Sequence, residues 1–425
     1  MLYKIQTEVS LRAKIGATVW AVSATCCLLL SCRGSDRYTT VDDSAAPLRP
    51  VRVLVVSDVQ KVRFRSRHSL SVLNDGYVTM CSSPGGNWLV VEASQDGGIS
   101  LGKKPSPAQS VTILSDPGET VQVAVATESG WSEGVPYPGS LRVSARQNGR
   151  LCVINYVGIE RYVASVVACE VWPTFAKEAF RAQAVAARTY VIYQMLRRQD
   201  AAWDVAATQG SQVYRGVRTD RPGLRAYDAT EFTRGVICTF GDDREERLFS
   251  TYYSSVCGGV TQSAAIFGEA DAVAPLAGGV RCDYCRIAPK RTYRWGPVRI
   301  AVKKLRDRLA ARYPDIGSLG EITSVSAVER TPNGRPVELR IAGSNGKSHT
   351  MLAERFRLAV GSNTMRSTDC NIRLVGKDIV FEKGRGYGHG LGLCQWGMQG
   401  QALEGKRAGE ILRYYYPTSK LTRVY

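Results

Sequence analysis

The chain has 425 residues, 44% of them hydrophobic and 22% charged, enough apolar material for one large core or two to three ordinary ones and no sign of a disordered polypeptide. Its 56 Lys and Arg outnumber 38 Asp and Glu to leave +18, and setting aside Lys4, Arg12, Lys14 and Glu8 of the leader hardly changes that excess. Such a surface favours a polyanion or a membrane surface; with no Lys/Arg block or nucleic-acid motif beside it, nucleic acid is set aside and a carboxylated polymer fits.

Residues 1–31 read as a lipoprotein signal peptide. Lys4, Arg12 and Lys14 precede an apolar run, Ala17–Leu30, too short to span a membrane comfortably and suited to a signal h-region. The run ends in Leu29-Leu30-Ser31-Cys32, the lipobox pattern of bacterial lipoproteins, which makes Cys32 the expected lipidation site; an ordinary signal peptide or uncleaved anchor with a chance cysteine is the alternative. Either way the protein is expected outside the cytoplasm, and under the first reading anchored by lipid to the envelope. Residues 32–50 are polar and proline-containing, the composition of a tether.

Residues 51–156 read as β throughout, starting with Val51-Arg-Val-Leu-Val-Val and broken by Pro84-Gly-Gly-Asn and Gln95-Asp-Gly-Gly. Lys61, Arg63, Arg65 and Arg67 alternate with Val62, Phe64, Ser66 and His68, which puts four cations on one strand face, as a solvated surface or a basic binding strip. At Val157 the texture turns helical. Ile159, Tyr162, Val163, Val166 and Val167 have the spacing of one helix face, and Glu170 extends that stripe. Pro173 stops this helix, and Thr174 is placed to cap a second, alanine-rich one from Phe175 to about Arg197. A catalytic core is expected over 157–297, a β-rich insertion with one helix over 298–375, and the rest of the core over 376–425. The fold class is α+β, a helical segment set among β-rich N-terminal and inserted segments that would form a cleft.

Gly158-Ile-Glu-Arg-Tyr-Val-Ala-Ser-Val-Val-Ala-Cys-Glu-Val-Trp-Pro, continued by Glu178-Ala-Phe-Arg-Ala-Gln-Ala-Val-Ala-Ala-Arg-Thr-Tyr190, resembles the signature of the stage II sporulation protein D family, also called the amidase-enhancer family. Gln212-Val-Tyr-Arg-Gly, Tyr252-Tyr-Ser-Ser-Val-Cys-Gly-Gly-Val-Thr, Gly384-Arg-Gly-Tyr-Gly-His-Gly-Leu-Gly-Leu-Cys-Gln-Trp-Gly and Ile411-Leu-Arg-Tyr-Tyr-Tyr-Pro agree in order. The resemblance implies a peptidoglycan lytic transglycosylase acting on glycan strands stripped of stem peptides, with the catalytic glutamate at Glu170 and no cofactor for the chemistry. A glutamate beside valines at a helix end has its charged form disfavoured, which suits a general acid. A hydrolase ordinarily needs a second carboxylate; a lytic transglycosylase does not, because the sugar's own 6-hydroxyl attacks C1. For Glu170 a purely structural pairing with Arg188 or Arg181 is the competing reading. Arg188, Gln183, Gln212, Tyr214 and His389 are the other polar residues inside these motifs, as sugar contacts or as structural hydrogen-bonding groups. The family's other name implies the runner-up function, a non-catalytic wall protein that positions or stimulates an amidase.

Beyond the leader the sequence has nine cysteines, an odd number that argues against a complete disulfide framework. The family often has Phe-His-Ser-Thr-Ser-Gly-Gly where this chain reads Tyr253-Ser-Ser-Val-Cys-Gly-Gly, and Cys394 stands at another common serine. With Cys282-Asp-Tyr-Cys285, the cysteines Cys257 and Cys394 are compatible with a structural zinc site, and equally with one or two disulfides in an exported protein. Cys169 is expected to be a packing residue on a different helix face from Glu170. The glycines of Gly384–Gly392 lack a P-loop ending and allow close backbone approach to a sugar or to a neighbouring element.

Overall fold

The computed structural model describes residues 48–94, 97–102, 104–242 and 245–425, so the leader, Cys32 and most of the tether lie outside the described residues. The chain divides into two compact units, one of residues up to Thr174, Ala187–Leu248 and Thr422–Tyr425, the other of Phe175–Ala186 and Phe249–Leu421. The architecture is α+β, as composition and periodicity indicate.

In the first unit the strands run β1 (Val51–Val59), β2 (Lys61–Arg65), β3 (Leu70–Leu73), β4 (Thr79–Ser83), β5 (Leu89–Ala93), β6 (Ile99–Leu101), β7 (Lys104–Ser106), β8 (Ser110–Ser115), β9 (Thr120–Thr127), β10 (Gly130–Trp131), β11 (Val135–Pro138), β12 (Ser140–Ala145) and β13 (Leu151–Val157). Helix α1 (Ile159–Glu170) follows directly; α2 (Lys177–Arg197) counts with this unit only from Ala187 on, and β14 (Val205–Ala206), α3 (Arg221–Phe232) and β15 (Val236–Phe240) come after it. One sheet has the order β14-β1-β13-β12-β8-β3-β4; the other runs β10-β9-β2-β5-β6-β7, with β11 also on β9. Period-2 patterning fixes the register: Val51, Val53, Val62, Phe64, Val111, Ile113, Leu141 and Val143 are fully buried, each worth roughly 1.5–3 kcal/mol against exposure. β1 pairs antiparallel with β13, Val51 opposite Val157, and so delivers the chain to the start of α1.

The alternating cations of β2 are neither simply solvated nor free. Arg63 lies 4.1 Å from the Trp88 ring and 4.6 Å from Trp131, and Arg65 lies 4.5 Å from Trp88, a stack worth about 0.5–1 kcal/mol per contact at such sites. Arg65 also donates to the side-chain oxygen of Gln122 at 2.6 Å. At the tether's end Arg49 is held by both oxygens of Asp204 at 2.7 and 2.8 Å. Arg52 adds its side chain at 2.7 Å and its backbone N–H at 2.8 Å. Burial pushes the Asp204 carboxyl up, but bonds from Arg49 and Arg52 win and hold it below the ordinary range.

The second unit centres on an apolar cluster that includes Trp295, Leu305, Leu309, Leu339, Ile341, Phe356, Val360 and Phe381. Strands Ile322–Arg330, Pro336–Gly343 and Ser348–Leu352 form one antiparallel sheet, and Val298–Ala301, Asp378–Glu382 and Asn371–Val375 another. Where a β-rich insertion with one helix is expected over 298–375, residues 298–301 are strand, Val302–Ala310 and the four residues Pro314–Gly317 are helical, and so is Ala353–Val360. Its eight residues are too few for periodicity to separate from a strand's flank. Residues 249–294 are mostly irregular with short 3-10 turns, and helices Gln395–Leu403 and Ala408–Tyr415 lie near the end.

Candidate active site and thiol cluster

Helix α1 forms because Ile159, Tyr162, Val163, Val166 and Val167 repeat at three- and four-residue spacing, and all five are buried. It stops at Glu170, since Val171 is extended and Pro173 cannot continue it. The last carbonyls of a helix need partners; here the Arg218 guanidinium donates to Ala168 O at 3.2 Å, a cation at the negative end of the helix dipole. Arg218 is itself held by Asp220, which also caps α3 by accepting from Gly223 N–H at 3.1 Å.

Glu170 is half-buried, and its Oε1 accepts the backbone N–H of Val213 at 2.9 Å. That N–H is aimed from both sides. Tyr162, fully buried on α1, donates its hydroxyl to Gln212 Oε1 at 2.9 Å, and Gln212 donates to Ala187 O at 3.4 Å. Tyr214 donates to Asn155 Oδ1 at 2.7 Å, and Asn155 donates onward to Pro138 O at 2.8 Å. The Tyr214 ring lies 5.1 Å from Tyr162 and 5.7 Å from Tyr137, so aromatic packing and hydrogen bonds together fix the segment carrying Val213. Trp172, two residues beyond Glu170, is 56% exposed.

The structure pairs Arg188, one of the two arginines offered to Glu170, with Glu160 instead, and it buries four of the five polar residues named as sugar contacts or structural hydrogen-bonding groups. Arg188 is fully buried and forms a bidentate pair with Glu160, at 2.8 and 2.7 Å, and its remaining N–H groups reach Thr230 O at 3.1 Å and Val236 O at 3.0 Å. Arg181 pairs with Glu178. Gln212 and Tyr214 are buried and position the Val213 N–H. Gln183 is also buried, its Oε1 accepting from Gln395 at 3.4 Å. Burial leaves these four no face to offer a sugar. His389 is half-buried, and its Nδ1 accepts Leu391 N–H at 3.0 Å; burial, above all, pushes its pKa down to about 4. Glu160 is fully buried in its pair with Arg188; burial raises its pKa, but Arg188 outweighs this, with Tyr425 and Gly235 N–H, so it is lowered overall. Sequence reasoning missed Tyr162, Asn155 and Val213; the backbone donor has no side-chain signal. Cys169 is half-buried, its thiol raised by burial, consistent with packing.

In the second unit the sulfurs of Cys257, Cys282, Cys285 and Cys394, all buried, lie within 4.8 Å of one another. A zinc with Zn–S of about 2.3 Å needs S···S edges of about 3.8 Å in a regular tetrahedron, and Cys257 and Cys285 are 3.8 Å apart. A disulfide requires about 2.05 Å. Cys394 Sγ accepts Cys257 N–H at 3.2 Å, and the Tyr415 hydroxyl lies 2.9 Å from Cys282 Sγ. Hydrogen bonds from Cys257 and its fellow thiols push Cys282 below the ordinary thiol range while Cys257 and Cys394 are pushed above it, one sulfur accepting the protons its neighbours keep; a bound metal would need the thiols deprotonated. Close approach is built in: a Cβ on Gly397 would lie 2.5 Å from Cys282 Sγ, and one on Gly386, at φ +79°, would lie 2.5 Å from Val256 O. The alternating glycines thus serve approach to the protein's own neighbouring strand.

The family model described as stage II sporulation protein matches residues 147–240, the stretch holding α1, Glu170 and Val213. An uncharacterised protein of Brachyspira hyodysenteriae is 32% identical over 69% of this chain and 74% of its own. Stage II sporulation protein D of Bacillus subtilis is 27% identical over 63% of this chain and 76% of its own. The amidase enhancer of Bacillus subtilis is 33% identical over 16% of this chain and 9% of its own.

Proposed function

The chain belongs to the stage II sporulation protein D family, and from that premise we propose that it is a peptidoglycan lytic transglycosylase cutting peptide-stripped glycan strands between N-acetylmuramic acid and N-acetylglucosamine. The observation that carries this reading is Glu170, half-buried at the end of α1 and oriented by the Val213 N–H. Protonated Glu170 gives its proton to the glycosidic oxygen as the C1–O bond breaks. The 6-hydroxyl of the same muramic acid then attacks C1, and its proton returns to Glu170. The products are a 1,6-anhydro end and a free 4-hydroxyl, with one carboxylate serving twice. In support, Glu160, Asp204 and Asp220 of the same unit are committed to arginines. Trp172 offers an exposed ring beside the acid for a sugar face.

The four thiols supply a donor set suited to a structural zinc, which when bound would tie three stretches of chain together and take no part in the cleavage. Cys32 is the proposed lipid attachment, which would place the enzyme on the outer face of a membrane. A second reading, a wall protein that stimulates an amidase, rests on the relative named amidase enhancer. The test is mass spectrometry of products from peptide-stripped glycan incubated with residues 33–425 or with Glu170→Gln. Anhydro ends lost in the variant support the proposal; reducing ends indicate a hydrolase; binding without cutting in both favours the second reading.

A further inference from the structure

The second unit contains a cavity of about 640 Å³, the size of pockets that enclose ligands of one to a few rings. Its wall is unusually cationic, five arginines against two aspartates. The aspartates do not neutralise it. Asp283 is engaged by Arg286 at 2.7 Å. Asp369 is shared, 3.0 Å from Arg385 and 4.0 Å from the buried Arg335. Among the described residues no carboxylate pairs with Arg281 or Arg294, and both are exposed. Arg335 donates to two backbone carbonyls, Cys257 O at 2.5 Å and His389 O at 3.2 Å, so its charge is held in place by neutral groups and by half a counterion. A buried guanidinium so weakly compensated attracts an anion.

The rest of the wall suits a sugar. Two glycine pairs border the cavity, Gly258-Gly259 and Gly278-Gly279, and a Cβ on Gly279 would meet nothing within 4 Å, so backbone polar groups there can be approached closely. The half-buried Tyr293 lines the wall with the Arg294 guanidinium 5.7 Å from its ring centre, and Asn333 adds an amide. We propose that this cavity binds a carboxylate-bearing saccharide, its carboxylate taken by Arg281 and Arg294 in the positive field of Arg335 and Arg385. The identity of the saccharide rests on the glycan reading above; the presence of an anionic-sugar site does not.

The test is calorimetric binding of muramic-acid-containing glycan fragments to the mature chain carrying Glu170→Gln, so that nothing is cut. Fragments with free lactyl carboxylates, the same fragments methyl-esterified, and inorganic phosphate are compared. The site predicts binding weakened at least roughly tenfold by esterification and by the pair Arg281→Gln/Arg294→Gln, with partial recovery in Arg281→Lys/Arg294→Lys. Circular dichroism checks that the exposed substitutions leave the fold intact. Equal affinity for ester and acid, unchanged binding by the glutamine pair, or displacement by phosphate as strong as by the free-acid fragment each overturns the proposal. Cleavage by the unmodified chain is read separately: anhydro products with no dependence on these arginines leave the transglycosylase standing and remove the cavity's role, and carboxylate-dependent binding without cleavage does the reverse.

Discussion

Replacing Glu160 by glutamine changes one charge and almost no volume, at a site where both partners are fully buried. Glu160 receives Arg188 twice, the Tyr425 hydroxyl at 2.5 Å and Gly235 N–H at 3.3 Å. In Glu160→Gln the guanidinium keeps its bonds to Thr230 O and Val236 O but loses its counterion, and one glutamine oxygen must serve where two carboxylate oxygens did. Breaking a buried pair from one side costs about 3–5 kcal/mol, which for a unit of this size lowers the midpoint by roughly 6–20 °C. Urea and thermal unfolding followed by circular dichroism, with each transition fitted separately for the two units, measures the loss. The pH dependence supplies a second reading. Because Glu160 titrates below its ordinary value of 4.5 in the folded state, its contribution is fully present above that value and fades as pH falls through the lower, folded-state value. The gap between wild type and variant is therefore constant from about pH 5 to 8 and closes in stronger acid. A loss under about 1 kcal/mol, or a gap that widens in acid, would refute the assignment of Arg188 and Glu160 as an interlocked pair.

Tyr162→Phe removes only the donor to Gln212; activity on glycan is expected to fall roughly tenfold through kcat with little change in KM, as for a group that positions the acid, and steady-state kinetics separates the two. Trp172→Ala is expected to raise KM while leaving the 1,6-anhydro product unchanged, checked on strands of graded length. Cys282→Ser and Cys394→Ser are each expected to abolish one equivalent of bound zinc, measured by elemental analysis, and to make the second unit's unfolding insensitive to chelator. His389, pushed down to about 4, stays neutral through pH 5–8, so the neutral form is favoured by folding. Its share of stability is complete above about pH 6.5 and is lost between 6.5 and 4, an acid limb that His389→Gln flattens.

The sequence made α1 legible because its apolar residues keep one period from Ile159 to Val167, and the same period placed Glu170 at the helix end. The fate of Arg188 was not legible. Glu160 and Glu170 lie ten residues apart, about 80° around the helix axis, and spacing alone cannot say which carboxylate an arginine on α2 will meet. Tertiary burial decides it, through Gly235 and the terminal Tyr425. Cys282 and Cys285 announce themselves by local spacing, whereas Cys257 and Cys394 were singled out only where they replace family serines. Arg335 follows the turn Pro332-Asn-Gly, a context that normally predicts exposure; its burial comes from residues dozens of positions away. Val213 acts through its backbone, which no side-chain pattern encodes.

The thiol cluster also bears on the order in which this protein can be made. Cys257 and Cys285 are separated by 28 residues, but Cys257 and Cys394 by 137, and closing a loop of the latter length costs about 4 kcal/mol of chain entropy before any contact repays it. The Cys282–Cys285 turn can form early and alone. The fourth sulfur arrives only 137 residues after the first, so a polypeptide truncated before Cys394 keeps the Cys282–Cys285 motif and still lacks the residue that closes the unit on itself.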